Sequence, residues 1–399
     1  MTGAARPLEG IRVLEMGQLL AGPFAGCVLG YFGAEVIKVE PPGGDPIRGW
    51  RVVRDGTSLW WASLARNKKS VTLDLGTPRG RELAKQLAAR SDVVIENFRP
   101  GTLEKWGMGP AQLKALNPEL IVARVSGYGQ TGPYAAQPGF ASVCEGFAGF
   151  RHLNGFPDRA PVRPNLSMGD TLAGLHAVLG ILLALTARLR GKTKAGQVVD
   201  VAIYESVFNL LESVVPEYDG AGVIRAPSGS TLTGIVPTNT YLCADGKYVI
   251  IGGNGDSIYQ RLMRAIGRPE MAEDPRCATN AKRVENEEEI DAAISAWTGA
   301  RGAADVLETL RKAGVPNGPI YNVADMMADP HFNARGMFES VEVNGKPLKI
   351  PAIPPLLGET PGRTDAPGPA LGAHTDEVLE GLLGVSGAAR AELRAAGVI

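Results

Sequence analysis

Two short apolar segments with a glycine-rich stretch between them open the chain and restrict its fold. Residues 10–16, GIRVLEM, are typical of a buried strand, and residues 35–42, EVIKVEPP, of a second strand that ends at two prolines. The intervening AGPFAGCVLGYFGA has small and apolar residues at helical spacing. A strand, a helix and a strand within about thirty residues predict a βαβ unit, and therefore a parallel sheet.

The same alternation continues through the first half of the chain. Strand-like segments lie at 70–75, 92–98 and 120–129, and helices are predicted after the first two. Thr77 and Pro78 give the helix after 70–75 a cap residue and a proline at its first position. The pattern predicts an α/β fold whose large domain is a doubly wound, Rossmann-like parallel sheet.

A change of pattern separates a large domain from a small one. An apolar helix is predicted at 171–190, and the chain from about Asp219 turns irregular and rich in Gly, Ser and Pro. Two strands joined at Asp245-Gly246, followed by helical segments, then predict a small α+β domain. The predicted boundaries are 1–215 for the first part of the large CoA-binding domain, 216–234 for a linker, 235–330 for the small domain, and 331–399 for a return linker and the C-terminal part of the large domain.

Composition and charge exclude several classes of protein. With 41 Lys and Arg against 42 Asp and Glu, no overall field favours nucleic acid or anionic lipid. The four cysteines form no CxxC pair and the four histidines have no metal-ligand spacing, so we expect neither a disulfide framework nor a metal site. The N-terminus lacks the apolar core of a signal peptide, and the uncharged run 171–187 is shorter than the roughly 20 residues of a membrane span. We therefore expect a cytoplasmic enzyme or binding protein with no nucleic-acid or membrane partner.

Asp170 is the main candidate for chemistry. It precedes the run 171–187, which contains no Asp, Glu, Lys or Arg. Because Asp is a preferred N-cap residue, the local pattern favours a helix cap. A carboxylate at a helix N-terminus is also held ionised by the amide dipoles, and an ionised carboxylate in a dry crevice can act as a nucleophile. Spacing alone leaves both interpretations open.

A glycine-rich turn and a group of cations are the other candidates. IIGGNGDS at 250–257 predicts either an ordinary strand-to-helix turn or a flexible flap that offers N–H donors to a substrate. No GxGxxG follows the first strand, which disfavours a nucleotide-dependent dehydrogenase, and no Walker motif or GxSxG is present. Several cations lie just beyond predicted strand ends, where doubly wound sheets bind ligands. They are Lys38, Arg48, Arg66, Lys68, Lys69, Arg99 and Lys105.

Blocks along nearly the whole chain resemble the family III CoA-transferases, the group that includes formyl-CoA transferase, carnitine CoA-transferase and α-methylacyl-CoA racemase. The blocks include PLEGIRVLEMGQLLAGP, FGAEVIKVEPPGGDPIRGW, NKKSVTLDLGTPRG, VVIENFRPGTLEKWGM, LIVARVSGYGQTGPYAAQPGF, GDTLAGLHAVLGILLAL and GVPNGPIYNVADMMADPHFNARGMF. The resemblance implies a homodimer of interlocked chains, with coenzyme A thioesters as substrates and no permanently bound cofactor.

Carried over position by position, the resemblance assigns roles to individual residues. Asp170 becomes the nucleophile, which passes through an aspartyl anhydride to an aspartyl-CoA thioester. Gly252, Gly253 and Gly255 correspond to a glycine loop that closes over the intermediate and offers amides to its oxyanion, and Gln18 to a polar active-site residue. The CoA site maps onto Leu19, Leu73, Leu75, Asn97, Phe98, Arg99 and Lys105.

Two departures from formyl-CoA transferase bear on specificity. Pro41 stands where that enzyme has an arginine that contacts CoA, so we expect Lys38, Arg48 or Lys69 to bind the phosphates instead. Phe140-Ala141 replaces a Tyr-Glu pair, which disfavours formate or oxalate as a substrate. The racemase has a histidine in this block, one of the two acid/base groups that racemisation needs. This chain has Phe140 at that position, so we expect a transferase. The racemase is the alternative within the family.

Within the family, residues 228–267 most resemble the succinyl-CoA:dicarboxylate branch, whose acceptors include glutarate. We therefore predict transfer of CoA from succinyl-CoA to a dicarboxylate. The alternative of another class is a non-catalytic acyl-CoA-binding protein, which the presence of Asp170 and of the glycine turn disfavours. The candidate anchors for the acceptor's second carboxylate are Arg163, Arg225, Ser228, Ser230 and Thr231.

Overall fold

The chain folds into two units, which a computed structural model describes over residues 4–399. The first unit consists of the chain up to Phe150, Pro164–Glu212 and His331–Ile399. The second consists of Arg151–Arg163 and Ser213–Pro330. The small unit therefore takes in a segment, Arg151–Arg163, that the sequence assigned to the large domain.

Strands and helices alternate through the first part of the first unit. The strands are β1 (Arg12–Glu15), β2 (Glu35–Glu40), β3 (Val53–Arg54), β4 (Thr57–Ser58), β5 (Lys68–Thr72), β6 (Val93–Glu96), β7 (Ile121–Ser126) and β8 (Val198–Ala202). The helices are α1 (Ala21–Tyr31), α2 (Leu59–Leu64), α3 (Pro78–Ala88), α4 (Thr102–Lys105), α5 (Pro110–Leu116), α6 (Ala141–Phe147), α7 (Phe150–Leu153, at the boundary of the two units), α8 (Met168–Leu189) and α9 (Ile203–Phe208).

Six of these strands form one parallel sheet in the order β5-β2-β1-β6-β7-β8. Counted along the chain, this is the 3-2-1-4-5-6 order of a doubly wound sheet, in which the direction of winding reverses between β1 and β6. Val13 of β1 pairs in register with Val36 of β2 and with Val93 of β6. The predicted α/β class and the doubly wound parallel sheet are confirmed.

Both faces of the sheet are covered, which explains why its strands are apolar runs rather than alternating ones. Val13 belongs to the core on one face and Leu14 to the core on the other. Helix α1 lies so close to β1 that a Cβ on Gly26 would stand 1.9 Å from Oε2 of Glu15. On the opposite face, α3 begins as predicted, with Thr77 accepting a hydrogen bond from the Gly80 N–H.

Helix α8 begins at Met168, whereas the sequence predicted a start at Thr171. The N-cap residue, Ser167, makes no capping hydrogen bond with its side chain. Instead the Gly169 N–H donates to Oε1 of Glu145, a buried residue of α6, at 3.1 Å. Because a carboxylate from another helix satisfies this first-turn amide, local sequence cannot locate the helix start.

The two sides of α8 differ. One side packs small residues closely, and a Cβ on Gly174 would lie 2.8 Å from the carbonyl oxygen of Ala21. The other exposes Leu175, Leu179 and Leu183, with 46%, 53% and 61% of their surface accessible. Of the helices in residues 4–399, only α8 is long and apolar enough to cross a membrane. Core helices of soluble proteins meet the same criterion of length and composition.

The second unit is built on an antiparallel sheet of three strands in the order β11-β10-β9. The strands are β9 (Thr238–Leu242), β10 (Tyr248–Gly252) and β11 (Asn317–Pro319), and the helices are α10 (Val214–Ala221), α11 (Asp256–Ala265), α12 (Pro269–Glu273), α13 (Asn280–Glu285), α14 (Glu287–Gly299), α15 (Ala303–Lys312) and α16 (Val323–Ala328). The hairpin predicted at Asp245-Gly246 is present, with the Cys243 N–H donating to the Lys247 carbonyl. Helix α10 occupies the start of the segment predicted to be a linker.

The last part of the chain returns to the first unit. It contains α17 (Pro330–Ala334), β12 (Phe338–Val343), β13 (Lys346–Pro351), α18 (Thr375–Leu383) and α19 (Gly387–Ala395). Strands β12 and β13 form an antiparallel pair. Val378 of α18 and Leu393 of α19 pack into the core beneath the sheet, and the Asp74 N–H donates to the carbonyl of Val398. The C-terminus is thus held by the large sheet domain.

Candidate functional site

A cavity of about 220 Å³ lies at the carboxyl ends of β1, β6 and β7. Because β1 and β6 are the neighbours between which the winding reverses, the cavity lies where doubly wound sheets bind ligands. The first turn of α8 supplies one side of it. The structure brings together six of the predicted residues here: Gln18, Leu19, Asn97, Phe98, Arg99 and Asp170.

Asp170 is the third residue of α8, so the prediction that it is the N-cap is wrong. Within the first turn, the positive end of the helix dipole still stabilises its carboxylate. The neighbouring Cys144 thiol is affected by this charge. Burial above all, and then the charges of Asp170 and Glu145, raise the pKa of Cys144 to about 11. The thiol is therefore neutral at physiological pH, and it donates to the Gly127 carbonyl at 3.4 Å.

The turn after β1 is clamped from the side of β6 by Asn97. Its side chain accepts from the Gln18 N–H and donates to the Gln18 carbonyl, each at 2.8 Å. Gly17 has no room for a side chain, because a Cβ there would lie 2.7 Å from Oδ1 of Asn97. The side-chain amide of Gln18 forms no hydrogen bond within residues 4–399. The backbone of Gln18 is thus fixed while its amide is available to a ligand.

The same turn is held from the side of β2 by Lys38 and Asp45. The Leu19 N–H donates to both carboxylate oxygens of Asp45, each at 3.2 Å. Leu19 has a φ of 64°, a left-handed conformation that costs on the order of 1–3 kcal/mol outside glycine. The Lys38 ammonium donates to the Gly17 carbonyl at 2.5 Å. These bonds stabilise a strained turn at the edge of the cavity.

Lys38, expected to contact CoA, is instead buried, with 1% of its side chain exposed. Its ammonium lies 3.1 Å from Glu15 Oε1 and 2.8 Å from Asp45 Oδ2. Burial opposes its charge, but the carboxylates of Glu15 and Asp45 outweigh burial and raise the pKa of Lys38. A cation enclosed in this way supports the turn and does not line the cavity.

Three other residues of the predicted CoA site also lie away from this cavity. Leu73 and Leu75 are buried in the core beneath the sheet. Lys105 ends the short helix α4 and is exposed. Phe98 packs edge-to-face on Trp106, with ring centroids 5.1 Å apart, and so shapes the cavity wall beside Arg99.

Two cations proposed as substitutes for the missing arginine have carboxylate partners. The Arg48 guanidinium donates to both oxygens of Glu40, at 2.7 and 2.8 Å. Lys69 pairs with Glu35 at 2.8 Å and with Glu377 at 2.7 Å. Arg99, exposed and at the cavity itself, is the better placed cation for an anionic ligand.

The glycine turn belongs to the second unit, between β10 and α11. The Gly252 N–H donates to the Pro316 carbonyl at 3.0 Å, and the Gly253 N–H to the Pro237 carbonyl at 2.8 Å. In this conformation those two amides are not available to an oxyanion. The Gly255 N–H has no acceptor among residues 4–399. The role of the glycine turn as a flap stays a prediction.

The five candidate anchors for a second carboxylate also lie in the second unit. Arg225 donates to Glu217 and to Ser213. Ser228 and Thr231 bond to each other's carbonyls, and Ser230 donates to Asn239. Arg225, Ser228, Ser230 and Thr231 are therefore engaged in local hydrogen bonds. None of the five lines the cavity that contains Asp170.

Several lining residues come from segments for which no chemical role was predicted. Ser126 ends β7, Gly127 follows it, and Gln137 and Gly139 lie in the loop beyond. A Cβ on Gly127 would stand 2.9 Å from the Cα of Gly139, so the two backbones meet where only glycine fits. The glycines of SGYG and QPGF were the available signal, because β7 ends at the same edge as β1 and β6. No cluster of three metal-ligating side chains occurs within residues 4–399.

The chain is similar to known proteins over nearly its whole length. The model of the family described as CoA-transferase family III matches residues 8–375. Succinyl-CoA–D-citramalate CoA-transferase of Chloroflexus aurantiacus is 50% identical over 398 residues, covering 99% of this chain and 98% of that protein. Succinate–glutarate CoA-transferase of Agrobacterium fabrum is 36% identical, covering 94% and 95%. The crystal structure of a CaiB/BaiF family protein from Brucella suis superposes with a TM-score of 0.84 and 36% identity, covering 95% and 100%.

Proposed function

Because the chain belongs to CoA-transferase family III, we propose that it moves CoA from succinyl-CoA to the carboxylate of a second short dicarboxylic acid. The observation that carries this proposal is the position of Asp170, a carboxylate in a first helical turn that faces the switch-point cavity. The relatives with 50% and 36% identity are named for succinyl-CoA or succinate and for the dicarboxylates citramalate and glutarate. Their names support the donor and the class of acceptor.

The reaction proceeds in two symmetrical halves at Asp170. Its carboxylate attacks the thioester carbonyl of the donor, the carbon–sulfur bond breaks, and CoA thiolate leaves a mixed anhydride. The thiolate attacks the aspartyl carbonyl, releasing the donor acid and leaving an aspartyl-CoA thioester. The acceptor carboxylate displaces the thiolate to form a second anhydride, and the thiolate then takes the acceptor acyl group and restores Asp170. No step needs a proton transfer, because a carboxylate and a thiolate alternate as nucleophile and leaving group.

Gln18 supplies the polar group that meets the developing charge. Its backbone is held by Asn97 while its side-chain amide has no partner within residues 4–399. Because the backbone of Gln18 is fixed, only its side chain has to turn toward the oxyanion, and a donor that reorganises little stabilises developing charge better. Leu19, Asn97, Phe98 and Arg99 form the wall for CoA, and the exposed Lys105 is available to its phosphates.

A racemase is the second candidate in the same family, but this cavity lacks the groups that it needs. Racemisation requires two opposed acid/base groups at one carbon. Asp170 is the only carboxylate among the described residues that line the cavity, and no histidine lines it. Phe140, at the position of the racemase histidine, lines the cavity and is 71% exposed.

Two copies associate in the proposed enzyme. Leu175, Leu179 and Leu183 form an exposed apolar row on α8, which supports this association. A contiguous exposed apolar patch on a protein surface marks an interaction site. Asp170 lies on α8 as well, so association and chemistry share one helix.

The decisive experiment is transfer from succinyl-CoA to a panel of acids, followed by mass spectrometry of the products and of the peptide that contains Asp170. We expect new thioesters and a CoA adduct on that peptide, and neither with Asp170→Ala. Asp158→Ala, in which an aspartate with a 76% exposed side chain is removed, is the control and retains both. Equal transfer by Asp170→Ala would refute the covalent route. A parallel assay supplies a 2-methylacyl-CoA, and its isomerisation in the absence of any CoA transfer would favour the racemase. Binding of succinyl-CoA without turnover would favour a non-catalytic protein.

A further inference from the structure

A second and larger cavity, of about 690 Å³, lies within the first unit on the other side of the α8 N-terminus. It shares Leu20 with the cavity that contains Asp170. It also receives Met168 and Thr171 from the same helical turn as Asp170. The two cavities therefore flank the proposed nucleophile, one toward the CoA wall and the other away from it.

The walls of this second cavity are mainly apolar. They include Leu20, Phe24, Trp60, Leu64 and Ile353. A volume in the usual range of small-molecule sites, roughly 300–1,000 Å³, with apolar walls and few polar groups, is the ordinary form of a ligand pocket. The methylene chain of a short acyl group fits such walls.

Two arginines line this cavity, and only one has its guanidinium available. Arg66 is buried and donates to the Ser63 and Pro351 carbonyls at 2.7 and 2.6 Å. Arg51 has no hydrogen bond or carboxylate partner within residues 4–399, and its guanidinium lies 5.5 Å from the ring centroid of Trp60. Stacking of this kind orients an arginine while leaving its N–H donors open.

The backbone at Arg51 is also strained. Its φ is 64°, in the left-handed region that residues other than glycine seldom adopt. Such conformations are retained where the surrounding structure holds them, and they are frequent in ligand-binding segments. The strain and the unpaired cation are independent observations on the same residue.

We propose that this cavity binds the far end of the acyl group, with Arg51 as the anchor of the second carboxylate of a dicarboxylate. The proposal rests on the proposed function, and it replaces the anchors expected in the second unit. One carboxylate of the acid reacts at Asp170 while its methylenes lie against Leu20 and Trp60. The other carboxylate pairs with the planar guanidinium, which binds carboxylates through two parallel hydrogen bonds. A monocarboxylic acid of equal length leaves Arg51 without that partner.

The test is competition between glutarate and pentanoate, two five-carbon acids, for CoA from succinyl-CoA in one reaction. Both acceptors draw on the same aspartyl-CoA thioester, so the product ratio is independent of the donor half-reaction. We expect Arg51→Met to lower the ratio of glutaryl-CoA to pentanoyl-CoA at least about tenfold, because it removes one partner of the charged pair that forms with the bound acid. Arg51→Lys, which keeps the charge but not the planar fork, gives an intermediate ratio.

Arg54→Met is the matched control, because it removes a cation from the same segment without touching the cavity lining. It keeps the parent ratio. An unchanged ratio in folded Arg51→Met would overturn the anchor while leaving the CoA-transferase intact.

A binding measurement covers the case in which no transfer is observed. In the Asp170→Ala background, titration calorimetry compares Kd for succinyl-CoA and butyryl-CoA, with and without Arg51→Met. The anchor predicts that Arg51→Met reduces the preference for succinyl-CoA by at least tenfold. If the preference persists, Arg51 does not bind the carboxylate. Absence of transfer by the parent protein would instead refute the proposed function.

Discussion

The Lys38 ammonium lies 2.8 Å from Oδ2 of Asp45, and both groups bind the turn that carries Gln18. Lys38 reaches the Gly17 carbonyl and Asp45 the Leu19 N–H, so one ion pair secures the residues on either side of Gln18. The buried Lys68 pairs with Glu15 at 2.7 Å and donates to the Pro23 carbonyl, but it makes no bond to the turn. Comparing substitutions of the two lysines therefore separates the effect of a buried ion pair on stability from its effect on the turn.

We predict that Lys38→Met and Lys68→Met both lower the free energy of unfolding by about 3–5 kcal/mol, the usual cost of leaving a buried carboxylate unpaired. Only Lys38→Met should also lower kcat, with KM for succinyl-CoA little changed, because only it releases the Gln18 turn. Urea unfolding and steady-state kinetics measure the two effects. Equal loss of kcat in the two variants would show that the ion pair acts only through stability.

Asn97→Ala is expected to lower kcat about 100-fold, since displacement of a catalytic group by about 1 Å has effects of this size. The substitution removes both hydrogen bonds that fix the Gln18 backbone. Asn117→Ala is the control, because Asn117 donates to the Ser91 carbonyl away from the cavity. A parent-like kcat in Asn97→Ala would mean that Gln18 needs no clamp, and comparison of melting temperatures would identify any general loss of stability.

The thiol of Cys144 predicts a pH dependence of stability. Its pKa is raised from an ordinary 9.0 to about 11, so between these values the folded protein keeps a proton that the unfolded chain releases. The contribution of this thiol to stability is therefore constant at lower pH and falls as pH rises through this window. The difference in unfolding free energy between the parent and Cys144→Ala, which cancels other titrating groups, should fall from pH 8 to pH 10.5. A constant difference would contradict the raised pKa.

Gly26→Ala should destabilise the protein by about 3 kcal/mol, at the upper end of overpacking effects. A Cβ there meets Oε2 of Glu15 at 1.9 Å, and that carboxylate is held by Lys68. Gly146→Ala, also within a helix but with nothing within 4 Å of the added Cβ, should be neutral or stabilising by up to about 1 kcal/mol. Chemical denaturation compares them, and similar values for the two variants would show that α1 can move away from β1.

The association of two copies is tested on the exposed face of α8. Leu179→Asp combined with Leu183→Asp places two charges on that face, and we expect the mass in solution to fall from two chains to one. Leu116→Asp, at a leucine of α5 that is 51% exposed, should leave the mass unchanged. Sedimentation velocity or light scattering measures it. A dimer in the double variant would place the interface elsewhere.

The sheet could be predicted because its strands are buried on both faces and are therefore apolar runs with glycine or proline between them. Asp170 could be singled out by its isolation before an uncharged helix. Its place within the helix could not, because the first-turn amide is satisfied by Glu145, which is 24 residues away in the chain. The burial of Lys38 was equally hidden, since one strand residue pointing inward toward Glu15 and Asp45 looks in sequence like any lysine at a strand end.

The contact between Gly127 and Gly139 bears on how the specificity of this protein can change. A Cβ on Gly127 would stand 2.9 Å from the Cα of Gly139, and a Cβ on Gly139 would stand 3.0 Å from Tyr128 and 3.1 Å from Cys144, so this part of the cavity tolerates substitution poorly. Phe140, beside it, is 71% exposed and has no such restriction. Directed evolution toward new acids should therefore accumulate changes at Phe140 and at the rim, while libraries that randomise the two glycines yield inactive proteins.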